Sequence, residues 1–209
     1  MRKIHILAGL ALALAGLVLS GCITTPEIAD RIVELVTTTS VSDTLHASGS
    51  TNSIIDSGGV DVNDIDVPSI LSNAGIDVSN VTGISLASIE YAVIQADPTA
   101  GRHLDGSIQV AVAGGAATDL VNPFGAAADA VTGFHAVSLH AGAVAQINNL
   151  LAQLLANVKN NAGPVANGHI DYTVSGTSTP TNTNTDFVYV LRLTLNVQGT
   201  VKTKVLTGK

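Results

Sequence analysis

Two short patterns in this 209-residue chain carry the residue types of a metal site. His103-Leu104-Asp105 and His169-Ile170-Asp171 are both His-x-Asp. On a strand, that spacing puts both polar side chains on one face. If the two strands were neighbours, two His and two Asp would converge on one ion. The plainer reading is polar residues on the solvent face of half-buried strands. It is preferred, because nothing in the spacing makes the pairs adjacent, and no metal ligand is assigned. A second cluster, Asp61, Asn63, Asp64 and Asp66, has the oxygen ligands that calcium takes. A calcium-binding helix–loop–helix needs ligands at its first, third and fifth loop positions, Gly at the sixth and Glu at the twelfth. Counted from Asp61, those last three places hold Ile65, Asp66 and Ser72, so the template fails. Turn and capping carboxylates are the favoured reading, with an irregular calcium loop left open between Asp61 and Asp66.

Nucleophilic chemistry has less to stand on. No Gly-x-Ser-x-Gly stretch presents a serine. Gly49-Ser50-Thr51 and Gly106-Ser107-Ile108 read as ordinary turn or strand serines. Neither a Gly-x-x-x-x-Gly-Lys phosphate loop nor a Gly-x-Gly-x-x-Gly run occurs. No catalytic residue and no cofactor is expected, and the chain reads as a non-enzyme, with an envelope hydrolase as the weakest alternative.

The single cysteine has a more specific context. Arg2 and Lys3 are the only charges before Glu27, and an apolar run from Ile4 to Leu19 follows them. This is the charged start and apolar middle of a secretory signal. The run is short and Gly/Ala-rich for a spanning helix, which needs about 20 apolar residues. It ends in Leu19, Ser20, Gly21 and Cys22. That ending resembles the lipobox of bacterial lipoproteins. The resemblance covers residues 1–22 and implies cleavage between Gly21 and Cys22. It also implies a thioether-linked diacylglycerol on Cys22, usually with an acyl chain on the new amino group. Small residues admit a peptidase to the backbone, and only a thiol forms the thioether. Acyl chains at roughly 0.8 kcal/mol per buried methylene would then hold the chain on a membrane. The next residue is Ile23, not the Asp that retains enterobacterial lipoproteins in the inner membrane. By that resemblance the destination is the outer membrane.

The remaining composition narrows the classes. One Cys excludes an internal disulfide framework and a thiolate zinc cluster. Nine Lys and Arg against 16 Asp and Glu make a poor nucleic-acid binder. An aromatic content of 3% leaves little to stack on bases. Loss of Arg2 and Lys3 with the signal would move the formal charge from −7 to −9. A surface of that sign is repelled by anionic lipid, so attachment falls to the acyl chains.

Behind the anchor the expected organisation has three parts. Residues 1–21 are a cleaved signal. Residues 22–36 are the anchor and a short tether or helix, with Pro26 at its first position and Ile28, Ile32 and Leu35 on one face. Residues 37–209 form a single β-rich envelope domain. Within it, residues 37–48 read as a strand, and 68–73 as one or two helical turns stopped by Gly75. Residues 84–94 alternate, with a slip near Ala87-Ser88 that suggests a bulge. Asp97 to Gly101 is a turn signal, and the row Leu104, Ile108, Val110, Val112 completes an expected hairpin. Residues 113–133 read as a loop, 134–139 as a short strand, and 176–185 as an exposed loop. Val144, Ile147, Leu151, Leu154 and Val158 set one amphipathic helix at about 141–159. Phe187, Tyr189, Leu191, Leu193, Leu195 and Val197 alternate without a break. The expected class is α+β, mainly β: an antiparallel sheet or β-sandwich with that long helix packed on it.

The expected function is that of a lipid-anchored envelope protein with a structural or binding role. Its partners would be a membrane, through Cys22, and an envelope protein or apolar ligand, with no nucleic acid. A carrier or sensor holding an apolar ligand between sheet and helix is the alternative. Residues 187–195, with Arg192 as their only charge, also form an aggregation-type window unless paired on both sides.

Overall fold

A computed structural model describes residues 27–49, 53–181 and 183–207. Eight strands form two antiparallel sheets of four. They are β1 (Glu27–Gly49), β2 (Ser53–Asp61), β3 (Val81–Gln95), β4 (His103–Val112), β5 (Thr118–Ala127), β6 (His135–Ala136), β7 (His169–Thr179) and β8 (Thr185–Thr207). One sheet has the order β1-β8-β3-β6, and the other β2-β7-β4-β5. Consecutive strands β1/β2, β3/β4, β5/β6 and β7/β8 therefore split between the sheets, each pair at the same rank in its order.

The most regular alternation in the chain lies at the centre. Phe187, Tyr189, Leu191, Leu195 and Val197 of β8 are buried. Ile84, Leu86, Ile89 and Val93 of β3 lie on the same side of the sandwich core. From the other sheet come Leu104, Ile108 and Val110 of β4 and Ile170, Tyr172 and Val174 of β7. Each such side chain withdrawn from water stabilises the fold by about 1.5–3 kcal/mol before chain entropy is charged against it. The slip in β3 is a register shift between Leu86 and Ser88, which leaves Ala87 as the extra residue.

Two helices complete the layers. α1 (Val67–Asn73) starts where the Asp66 carboxylate accepts from the Ser69 amide at 3.0 Å. It stops before Gly75, whose φ of +69° favours glycine. α2 (Ala141–Asn160) turns Ala143, Ile147, Leu150, Leu151, Leu154 and Leu155 inward. It packs on β3 of one sheet and on β4 and β5 of the other. Asn148 accepts the Leu86 amide at 2.8 Å, satisfying a backbone donor at the bulge. Lys159 in the last turn donates to the Val81 carbonyl at 2.6 Å.

Six expectations are corrected here. No helix lies over residues 27–36: they belong to β1, which pairs with β8 from Glu27↔Thr207 to Gly49↔Thr185. Long-range pairing overrides the local helix signal. β3 and β4 are not a hairpin, because they sit in different sheets. Residues 118–127 are strand, not loop; Pro123 is tolerated there because β5 is an edge strand. The strand expected at 134–139 is only two residues long. The segment 176–185 is not uniformly exposed, since Ser178 and Thr185 are buried. The aggregation window is withdrawn as well: β8 is hydrogen-bonded on one side to β1 and on the other to β3.

Candidate functional site

The His-x-Asp pairs sit at opposite ends of one antiparallel ladder. His103 faces Thr179 on β7, while Ile170, next to His169, faces Val112 on β4. Each histidine instead meets carboxylates of its own end. His103 Nε2 lies 3.1 Å from Asp105 Oδ1. His169 lies 3.5 Å from Asp171 and 3.9 Å from Asp61. A third ring, His46 on β1, contacts Asp186 on β8 at 2.7 Å. All four contacts join largely exposed side chains, so they contribute about 0–1 kcal/mol each. Among the described residues no three of His, Cys, Asp and Glu converge on a point that could hold a metal.

The Asp61–Asp66 cluster is committed to turns. Asp61 accepts from the Asn63 backbone amide at 2.9 Å and from its side-chain amide at 2.8 Å. Asn63 in turn exchanges hydrogen bonds with the backbone of Val165. Asp66 caps α1, and the Ser69 hydroxyl and amide hold its carboxyl below the usual range. Beside these residues lies an open groove of about 360 Å³. Asp64 and Asp66 border it, with Leu154 and Val158 of α2 and Gly163-Pro164 also lining it.

Two polar features escaped the sequence reading. The first is a buried ion pair. The Asp97 and Arg102 side chains are 0% exposed, with Arg102 Nε 3.1 Å from Asp97 Oδ2. The contact is off the N–H axis, so it is electrostatic rather than a hydrogen bond. The two terminal nitrogens of Arg102 donate to the carbonyls of Pro180 (2.9 Å) and Asn184 (2.7 Å) and to the Thr183 hydroxyl (2.7 Å). Asp97 accepts from the amides of Thr99 and Asp186 at 2.8 and 2.7 Å. Burial alone would raise its pKa, but the Asp186 and Thr99 hydrogen bonds and Arg102 outweigh burial and lower it. The pair thus ties the β3–β4 crossing to the β7–β8 crossing. Asp97 reads in sequence only as a turn residue, and nothing local marks Arg102.

The second feature is a reciprocal pair of clasps between the sheets. Tyr172 of β7 donates to Asp43 of β1 at 2.6 Å, and Tyr189 of β8 donates to Asp56 of β2 at 3.1 Å. Asp43 stands two residues before the partner of Tyr189, and Asp56 two before the partner of Tyr172. The two ribbons thus repeat one arrangement across the core. Gly58 is the residue opposite Tyr172, and a Cβ there would overlap the tyrosine's phenol end. Burial, then the Asp56 charge, pushes the Tyr189 hydroxyl above its ordinary 10.0, keeping it a neutral donor.

Between sheets and helix lies a void of about 20 Å³, lined among others by Val41, Ile89, Ile108, Ile147, Tyr172 and Leu191. That is room for about one water. Leu19, Ser20, Gly21 and Cys22 lie outside the described residues. Among the described residues no helix is long and apolar enough to cross a membrane. No family model, no curated protein and no solved structure matches the chain.

Proposed function

We propose that this chain is a lipid-anchored protein of the bacterial cell envelope, most simply of the outer membrane, with a non-enzymatic structural or binding role. The observation that carries the reading is the signal-like segment ending Leu19-Ser20-Gly21-Cys22. The anchor would be acyl chains on Cys22 after cleavage at Gly21. The described domain adds support of a second kind. The buried Arg102, Asp97, Tyr172 and Tyr189 are spent on joining loops and sheets, which suits a rigid scaffold.

The carrier reading is disfavoured by the core: about 20 Å³ is far below the roughly 300 Å³ of a small-molecule pocket. A binding role would fall to the surface, where the open groove beside α2 offers about 360 Å³. The test is metabolic labelling with palmitate in a bacterial host. The native chain takes up label and is shortened. Cys22→Ser abolishes the label and leaves the precursor uncut. Label retained in Cys22→Ser sinks the reading.

A further inference from the structure

The lower parts of β1 and β8 extend beyond every other strand. β3 joins the sheet only at Val81↔Gly199. From Glu27↔Thr207 to Leu35↔Gly199, β1 and β8 pair with each other, in nine register steps. At about 3.3 Å per residue this two-stranded ribbon is roughly 30 Å long. It begins beside the expected anchor. Between Cys22 and Glu27 the chain can span at most about 17 Å.

Charge divides at the same place. The sandwich body, residues 36–198, holds 13 Asp and Glu against Arg102, Lys159 and Arg192. Those three cations are engaged: with Asp97, with the Val81 carbonyl and with Glu90. The ribbon balances Glu27, Asp30 and Glu34 with Arg31, Lys202 and Lys204. Lys202 and Lys204 are exposed. An anionic lipid surface therefore repels the body and tolerates the ribbon. Screening limits that repulsion to about 8 Å at physiological salt.

We propose that the β1–β8 ribbon is a membrane-contacting stalk, with Lys202 and Lys204 near anionic headgroups, that holds the sandwich about 30 Å off the lipid. The proposal rests on the lipid-anchor reading, and the test separates the two. The full acylated chain is reconstituted in vesicles of phosphatidylethanolamine and phosphatidylglycerol carrying a headgroup energy acceptor. A donor is attached at Gln198→Cys, at the top of the ribbon, or at Thr181→Cys, beyond the far end of β8; both positions are exposed. Mass spectrometry first establishes the acyl chains, and their absence removes the anchor and the stalk together. On acylated protein, transfer several-fold stronger at Gln198 than at Thr181 is expected. Reversing Lys202→Glu and Lys204→Glu should weaken transfer at Gln198 on these vesicles and leave it unchanged on phosphatidylcholine. Equal transfer from the two sites means the body lies flat, and overturns the stalk while leaving the anchor intact. Disulfide-linked dimers through Val36→Cys, on the free edge of β1, would assign the ribbon to a second copy and overturn it too.

Discussion

Arg102 shows how much one side chain can hold. Its two terminal nitrogens reach carbonyls on both sides of the 180–184 loop while its Nε lies against Asp97. Removing one partner of a buried pair leaves the other charged and uncompensated. Arg102→Met should therefore cost about 3–5 kcal/mol, read as a lower urea midpoint with an unchanged slope. The pH dependence has a definite sign. Asp97 has a depressed pKa in the folded state, so its contribution is fully present above the ordinary value of 3.8. It is lost as pH falls from there through the lower folded value. Asp97→Asn should be less stable at neutral pH and should show a shallower loss in that acid window. A native acid transition as shallow as the variant's would mean that Asp97 is not the group being protonated.

Elements differ in how far local sequence could announce them. β8 was legible because its period of two runs unbroken from Phe187 to Val197, and every second residue had to be covered. The bulge at Ala87 was legible for the same reason, as a break in phase. The second half of β1 was also read as strand, at 37–48, but its first ten residues were not: Pro26 and the spacing of Ile28, Ile32 and Leu35 satisfy a helix equally well, and only pairing with a strand far along the chain decides it. β5 hid behind Asn122-Pro123 and Gly125, which an edge strand accepts and a central strand would reject. Of the candidate sites, the two His-x-Asp pairs were visible as residues, but their separation is a matter of antiparallel register. Stability should vary along the same elements. An isolated two-stranded ribbon is marginal in water. Amide exchange in the unacylated domain should thus be fastest in residues 27–35 and 200–207. It should be slowest in 188–197, which is paired on both sides. Uniform protection along β8 would show that another surface supports the ribbon.

At the scale of the whole molecule, two sheets and a helix close on a core with almost no free volume. Asp43 and Asp56 draw the sheets together from one side, and α2 fills the space between β3 and β5 on the other. A closed interior of this kind should give no saturable binding of an apolar fluorescent probe. Leu151→Ala, which opens a cavity and costs about 2–5 kcal/mol, should create measurable binding. Tight binding by the native chain would restore the carrier reading.

The place of β8 in the sheet has a consequence for how the molecule is made. It is the strand that both β1 and β3 require, and it follows both at long range, β1 by most of the chain. Until it has been synthesised, β1 has no partner in its sheet, and the mean sequence separation of contacts is correspondingly large. Folding of such a topology is intrinsically slow and cannot finish on a partial chain. For the exported lipoprotein proposed above, that delay would keep the chain threadable until it has crossed.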